Sequence, residues 1–246
     1  MKVLFLNAWG GKVGAPLSEF IKHHTHDTDV FCFQESDRSM PALCTELLAS
    51  YRKIPAHKFV SDKDNFHQTI YVRKTIPILS SGIVLHDQDN VGLGLYVQIK
   101  QSSDCLYICN FHGLSRPVDK HDTPDRLRQA QGLIDFFATK PGAKVIGGDF
   151  NVFPTNPSLQ LFRQKGYQDL IHDYNITNTR NRLVWDRYPE NDRQYYSDYV
   201  FVSNDLLINS FTVPNIEVSD HLPLILNFSP QVSLSAANLE STGVPV

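Results

Sequence analysis

Short apolar runs recur along the whole chain, and they constrain the fold more than any other feature of the sequence. Each run is five to ten residues long and rich in valine, isoleucine, phenylalanine and tyrosine, which is typical of β-strands. The nine predicted strands cover residues 3–9, 29–36, 68–74, 93–100, 105–113, 144–153, 197–203, 210–214 and 223–228. This many strands must assemble into sheets, because a buried strand has to pair its backbone groups with a neighbour.

Four segments between these runs have the spacing of amphipathic helices. They cover residues 15–27, 39–51, 123–140 and 156–166. Thr123 and Asn156 each precede a proline, as an N-cap does when proline takes the first helical position. Strands and helices alternate early in the chain, and consecutive strands follow in the middle. We therefore expect two packed sheets with helices outside them.

The length of 246 residues suits one large domain, and a hydrophobic content of 41% allows a substantial core. Residues 229–246 are small and polar without periodicity. We expect a single catalytic domain over residues 1–228 and a flexible C-terminal tail over residues 229–246.

The net charge of −3 argues against a general basic platform for nucleic acid, although a local basic groove is compatible with it. The four cysteines form no CxxC pair, and we interpret them as reduced thiols. No stretch is long enough to span a bilayer, and the apolar run at the start is short and interrupted by Asn7, unlike a signal peptide. We expect a soluble, cytoplasmic monomer.

Polar residues lie at the edges of six apolar runs. They are Asn7, Glu35, His112, Asp149 with Asn151, Asp198, and Asp220 with His221. Each residue alone also has a structural explanation, as a turn former, a helix cap or the start of a strand. Catalytic sites are commonly built where a rigid scaffold aims side chains from different elements at one spot. Together, the six positions favour one shared site.

The residue types fit the hydrolysis of a phosphoester with the help of a divalent cation. Mg²⁺ prefers oxygen ligands and keeps several waters, so that Glu35 and Asn7 can supply its protein ligands. A phosphorus centre is attacked in line while negative charge grows on its oxygens. The cation and His112 can stabilise that charge.

The remaining polar positions can act on the attacking water. Asp149 and Asn151 are two residues apart at a strand end, so both can face that water. Imidazole exchanges protons near neutral pH, which suits His221 to a role in proton transfer. An aspartate beside it would fix its tautomer, and Asp198 is the candidate.

In this order, the motifs resemble those of the endonuclease/exonuclease/phosphatase superfamily, which includes deoxyribonuclease I, abasic-site endonucleases and neutral sphingomyelinases. The matching motifs are "LNAWG" (6–10), "FQE" (33–35), "NFHG" (110–113), "GGDFN" (147–151), "SDYVFVS" (197–203) and "SDHLP" (219–223). The resemblance implies an α+β fold, a four-layer α/β/β/α sandwich of two mostly antiparallel sheets flanked by helices. It also places the site at one edge of the paired sheets.

The resemblance further implies roles for individual residues. Glu35 corresponds to the principal ligand of Mg²⁺ (or Mn²⁺), Asn7 to its neighbour, and Asp220 to a second acidic residue near the metal. The residues that would activate water and contact phosphate are Asp149, Asn151, His221, Asp198 and His112. Trp9 departs from the abasic-site endonucleases and is closer to the sphingomyelinase-like branch, so the resemblance leaves the subfamily open.

Two basic segments can contact the phosphoester substrate. Arg116, Lys120, Arg126 and Arg128 follow His112 and can line a groove, although a solvated loop and the polar face of a helix are the favoured explanation. Trp185 and Arg187 lie in a segment of mixed aromatic and basic residues, which can stack a base and hold its phosphate or simply pack onto the domain. A nuclease-like phosphodiesterase is the favoured function. A phosphatase, a sphingomyelinase-like phosphodiesterase and a catalytically inactive binding module remain as alternatives.

Overall fold

The structure, a computed structural model, describes residues 1–61, 64–101 and 104–231. Twelve strands lie in this part of the chain. In chain order they are β1 (Lys2–Asn7), β2 (Val30–Gln34), β3 (Tyr51–Phe59), β4 (Asn65–Arg73), β5 (Ile78–Val84), β6 (Leu93–Gln101), β7 (Asp104–His112), β8 (Ala143–Asp149), β9 (Gln168–Asp169), β10 (Asp198–Val202), β11 (Leu206–Thr212) and β12 (Leu224–Pro230). All nine predicted strands are among them.

The strands form two sheets of six. Sheet A has the order β11-β12-β1-β2-β4-β3, and sheet B has the order β5-β6-β7-β8-β10-β9. One pair in each sheet is parallel, β1 with β2 and β7 with β8, and the other pairs are antiparallel. Both sheets are therefore mixed and mostly antiparallel, as predicted.

Helices cover the outer faces of the two sheets. They are α1 (Ala15–His24), α2 (Met40–Leu47), α3 (Pro124–Ala138), α4 (Pro157–Gln164), α5 (Leu170–Asp173) and α6 (Arg182–Trp185), with 3₁₀ turns at Trp9–Gly11 and Glu190–Asp192. Thr123 caps α3 as predicted, because its hydroxyl accepts from the backbone nitrogen of Arg126 at 3.2 Å. Asn156 lies at the N-cap position of α4 without making a side-chain cap.

Successive side chains of a strand point to opposite faces of its sheet, and this alternation produces the four layers. In β2, Phe31 and Phe33 pack with the residues of α1 and α2, whereas Cys32 faces the core between the sheets. The ring of Phe5 in β1 lies so close to β8 that a Cβ added to Gly147 would be 2.9 Å from it. The sandwich predicted from the resemblance is confirmed.

Three strands lack the apolar runs by which the others were predicted, namely β3, β5 and the two-residue β9. β3 and β5 are the outermost strands of their sheets, and most of their side chains are exposed or half-buried. Edge strands carry fewer apolar residues because solvent covers one side of them. The helix predicted over residues 39–51 ends at Leu47, and Tyr51 begins β3.

β12 continues to Pro230, and residues 232–246 of the predicted tail lie outside the described residues. The four cysteines are free thiols, of which Cys32, Cys44 and Cys109 are buried. Among the described residues, no helix combines the length and the apolar character needed to cross a membrane.

Strand direction explains why polar residues meet at one edge. β1 and β2 are parallel, so Asn7 pairs with Gln34 at their carboxyl ends. β7 and β8 are also parallel, and His112 pairs with Asp149 there. β10 is antiparallel to β8, which sets the first residue of β10, Asp198, opposite Asp149.

Candidate active site

Asp149, at the end of β8, lies at the centre of a buried polar cluster. Its Oδ2 accepts a hydrogen bond from Nδ2 of Asn7 at 3.0 Å. The same oxygen lies 3.7 Å from Nε2 of His112 and 3.7 Å from Nε2 of His221. Three nitrogen atoms from separate elements therefore surround one carboxylate oxygen.

The other oxygen of Asp149 is held from behind. Oδ1 accepts from the backbone nitrogen of Asn151 at 3.0 Å and from the hydroxyl of Ser197 at 2.5 Å. The amide of Asn151 donates in turn to the carbonyl of Gly113 at 3.2 Å. These contacts fix the carboxylate so that Oδ2 faces the two histidines.

The glycine before Asp149 is required by the backbone. Gly148 has a φ of +134°, a conformation that side-chain-bearing residues rarely adopt. A Cβ at this position would lie 2.1 Å from the carbonyl oxygen of Phe111. Gly148 therefore allows β8 to approach the end of β7 and to deliver Asp149 beside His112.

Asn7 connects Asp149 to the predicted metal ligand Glu35. Its Nδ2 also donates to Oε1 of Glu35 at 3.0 Å, so the two carboxylate oxygens are at most twice that distance apart. The Oδ1 of Asn7 accepts from the backbone nitrogen of Trp9 at 3.1 Å. Asn7 thus presents its NH₂ group to the carboxylates, and direct ligation of a metal would require its oxygen to turn toward them.

His221 and Asp198 form a buried pair. Nδ1 of His221 lies 2.9 Å from Oδ2 and 3.1 Å from Oδ1 of Asp198. A proton on Nδ1 is shared with this carboxylate, which leaves Nε2 directed at Asp149. The pairing predicted between His221 and Asp198 is present in the structure.

Burial and charge shift the pKa values of these groups in different directions. Burial alone would raise the pKa of Asp149, but the nearby charges of His221, His112 and Lys120 hold it well below its usual range. Burial raises the pKa of Asp198. Burial lowers the pKa of His221, yet Asp198 and Asp149 together outweigh it and raise the pKa. The site therefore favours an anionic Asp149 beside a protonatable imidazole.

Asp220, the neighbour of His221 in the chain, forms an ion pair with an arginine. Its Oδ2 forms an ion pair with Nη2 of Arg180 at 3.2 Å, and the backbone of Arg180 bridges to His221. A group with potential ligand atoms within 4.8 Å of one another comprises Asp149, Asp198 and His221. Ligation of a metal by Asp220 remains a prediction, and Arg180 is a cation beside the site that the motifs did not single out.

The predicted substrate-binding residues lie on the surface of the domain. Arg116 is exposed in the loop after β7. The guanidinium of the exposed Arg187 lies 4.6 Å from the ring centre of Trp9. Trp185 is half-buried and packs on Tyr195, with ring centres 4.9 Å apart. Arg187 thus reaches the segment that contains Asn7, whereas Trp185 packs within its own loop.

Two basic residues of the predicted groove are buried instead. Arg126 is fully buried, and its guanidinium donates to the carbonyls of Leu114 and Pro117. Lys120 is only 3% exposed and donates to the hydroxyl of Ser197. Ser197 directly precedes Asp198 in the motif "SDYVFVS", and this motif is the one sequence signal that pointed to Ser197.

The geometry of the cluster fits a divalent cation. The carboxylates of Glu35 and Asp149 share one amide donor, and no ion pair joins Glu35 to a lysine or arginine within the ranges that the structure describes. Oxygen-rich sites with uncompensated negative charge are the type that Mg²⁺ and Mn²⁺ occupy. The carboxylate of Glu35 beside that of Asp149 fits such an ion, and ligation by Glu35 remains a prediction.

Two six-stranded sheets between helices, with carboxylates and imidazoles at one edge, define the deoxyribonuclease I-like class of proteins. The model of the Endonuclease/Exonuclease/phosphatase family matches residues 4–221, and the chain belongs to this family. Its members are generally phosphoesterase hydrolases, and they typically use a divalent metal. A comparison with curated proteins gave no significant match.

Solved structures share the fold at low sequence identity. An endonuclease/exonuclease/phosphatase from Bacteroides vulgatus is 16% identical with a TM-score of 0.71, covering 94% of this chain and 98% of its own. A family protein from Leptotrichia buccalis is 14% identical with a TM-score of 0.71, covering 93% and 99%. Truncated TDP2 from Caenorhabditis elegans is 17% identical with a TM-score of 0.66, covering 93% and 96%.

Proposed function

We propose that this protein is a Mg²⁺-dependent phosphodiesterase of the nuclease-like kind. One observation carries the proposal: Oδ2 of Asp149 faces Asn7, His112 and His221 at 3.0 to 3.7 Å, beside Glu35. Oδ2 accepts one hydrogen bond, from Asn7, and it otherwise faces two imidazoles at 3.7 Å. That separation is too long for direct hydrogen bonds, so this oxygen keeps the capacity to accept from a water molecule between the side chains.

The residues of the site support the following division of work. Glu35 would hold the cation, with Asn7 beside it. A bound Mg²⁺ supplies a Lewis acid that offsets the negative charge growing on the phosphoryl oxygens. Nε2 of His112 lies 3.7 Å from Oδ2 of Asp149 and can donate to one of those phosphoryl oxygens.

Asp149 and His221 would act on water. The anionic Oδ2 of Asp149 accepts a hydrogen bond from the water and orients its oxygen toward phosphorus. Nε2 of His221 takes one proton of that water as the oxygen bonds to phosphorus, and the leaving oxygen keeps the electron pair of the broken bond. Asp198 stabilises the imidazolium that forms, because its carboxylate lies 2.9 Å from Nδ1.

The surroundings of Trp9 favour a substrate with more than one negative charge. The ammonium of Lys12 and the guanidinium of Arg187 lie 4.1 Å and 4.6 Å from the centre of its ring. Trp9 is two residues from Asn7, so these cations flank the site. A nucleic-acid strand meets this requirement, whereas the phosphocholine headgroup of sphingomyelin carries one negative charge, and a substrate panel separates the two.

The test compares a diester with a monoester. Bis-p-nitrophenyl phosphate and p-nitrophenyl phosphate are hydrolysed with Mg²⁺, with Mn²⁺ or with EDTA, followed by single-stranded DNA, RNA, sphingomyelin and phosphorylated metabolites. We expect metal-dependent turnover of the diester that is lost in Glu35→Ala and His221→Ala. Glu46→Ala and His86→Ala change the same residue types at exposed positions and should retain activity. No turnover on any member of the panel would favour a binding module instead.

A further inference from the structure

Lys120 is a buried lysine in the loop between β7 and α3. Its side chain runs into the domain, and Nζ donates to Oγ of Ser197 at 2.6 Å. The carbonyl of Tyr196 lies 3.5 Å from the same nitrogen. Both partners are uncharged, so no direct ion pair offsets the cost of burying the ammonium.

Ser197 connects this lysine to the centre of the site. A hydroxyl has one proton, and the short 2.5 Å contact with Oδ1 of Asp149 shows where that proton is donated. Ser197 must then accept from Lys120. The hydrogen bonds therefore run in one direction, from Lys120 through Ser197 to Asp149.

The backbone around Lys120 is built to hold this position. Its φ of 58° lies in the left-handed region, which is unfavourable for a residue with a long side chain. Its carbonyl accepts from Nδ2 of Asn156 at 2.7 Å and from the backbone nitrogen of Phe153 at 3.2 Å. Asn156, at the start of α4, thus fixes Lys120 instead of capping its own helix.

Charges of both signs face the ammonium. Burial lowers the pKa of Lys120 to about 7, and Arg180 acts in the same direction, as does Arg126. Asp149 and Asp198 oppose this shift and favour the ammonium form. The two aspartates that face Lys120 are members of the candidate catalytic cluster.

We propose that Lys120 is a positioning residue: acting through Ser197, its ammonium holds the carboxylate of Asp149 turned with Oδ2 toward His112 and His221. This inference rests on the proposed function, because it assigns Lys120 to the carboxylate that orients the attacking water. Lys120 itself does not touch the substrate. Its effect is on the rate of the chemical step and not on substrate binding.

The kinetic test uses Lys120→Met, Ser197→Ala and the double variant. Each single change should lower kcat roughly 10- to 100-fold, with KM changed less than about two-fold, since a hydrogen bond to a charged group is lost behind Asp149. The double variant should be no slower than the worse single variant, because both changes break one relay. Multiplicative losses, or a kcat of Lys120→Met within about two-fold of the wild type, would overturn the proposal.

The pH profile separates a charge effect from a packing effect. In the wild type, the contribution of the ammonium to kcat should decline as the pH rises through about 7. Lys120→Arg should recover part of the lost rate and keep it at alkaline pH, since a guanidinium stays protonated. Lys58→Met is the matched control, because Lys58 is also buried but donates to the carbonyls of Leu85 and Gln88. It should lower stability without changing the shape of the profile.

A measurement without turnover keeps this inference separate from the proposed function. In the ¹⁵N spectrum of the wild type, the Nζ group of Lys120 should give a signal protected from exchange that disappears in Lys120→Met. Ser197→Ala should shift that signal or remove its protection. If the signal is protected but the protein hydrolyses no substrate, the contact between Lys120 and Ser197 is supported and the proposed hydrolase function is rejected. An active protein whose Nζ signal ignores Ser197→Ala would reject the relay.

Discussion

Replacing Lys120 by methionine should change how the stability of the protein depends on pH. Burial lowers the pKa of Lys120 from 10.5 to about 7 in the folded protein. Between these values the unfolded chain holds a proton that the folded chain has released. The free energy of unfolding therefore rises with pH across this window, whereas methionine has no proton to exchange.

The size of the effect follows from the shift. One proton taken up on unfolding corresponds to about 1.4 kcal/mol per pH unit. Over the whole window from about pH 7 to 10.5, the free energy of unfolding of the wild type should rise by on the order of 5 kcal/mol relative to that of Lys120→Met. Below pH 7 Lys120 is protonated in both the folded and the unfolded state, so the full cost of burying the ammonium is present there. In this range the free energy of unfolding of the wild type should be lowest relative to that of Lys120→Met.

The assay is urea unfolding of both proteins at several pH values from 6.5 to 10, followed by tryptophan fluorescence. The quantity of interest is the difference between their free energies of unfolding, since other groups that titrate in both proteins cancel in it. Lys100→Met is the control, because Lys100 is exposed and its surroundings change little on unfolding. A difference that stays flat, or that falls as the pH rises, would refute the assignment of Lys120 as a buried ammonium.

Three further outcomes follow from the site and its supports. Glu35→Gln should abolish the heat of Mg²⁺ binding in calorimetry and lower metal-dependent turnover by at least roughly 100-fold, since it removes the carboxylate best placed for the ion. Asp198→Asn should lower the pKa of His221, measured from its imidazole resonances, and reduce kcat by roughly 10²- to 10⁴-fold; an unchanged pKa would contradict the pairing. Gly148→Ala should destabilise the protein by about 3 kcal/mol in urea, because its Cβ would lie 2.1 Å from the carbonyl of Phe111; unaltered stability would contradict that contact.

The sequence predicted the central strands because burial leaves a visible pattern. A strand covered on both faces, such as β2, reads as a continuous apolar run. β3 lies at the edge of sheet A and most of its residues are exposed or half-buried, so no continuous apolar run distinguishes it from a loop. The convergence of polar residues was also predictable, because parallel pairs bring the carboxyl ends of their strands together.

The supports of the site could not be read from the sequence in the same way. Lysines are almost never fully buried, so the sequence predicts an exposed Lys120, either in a solvated loop or lining a groove. Its burial depends on the reach of a side chain and on a bond from Asn156, neither of which has a periodicity. Asp220 shows a related limit. It adjoins His221 in the chain, but the chain bends over residues 218–220, and Asp220 faces Arg180.

The site exists only because the two sheets pack in one register. Glu35 follows a strand of sheet A, whereas Asp149 ends a strand of sheet B, so neither sheet alone holds both carboxylates. Just behind them, the buried amide of Gln34 in sheet A donates to Asn110 in sheet B, and Asn110 donates to the carbonyl of Phe33 at 2.9 Å. Buried polar groups are costly when unpaired, so a relative shift of the sheets would break these bonds. The same hydrogen bonds that fix the register therefore also set the distance between Glu35 and Asp149, on which binding of a cation depends.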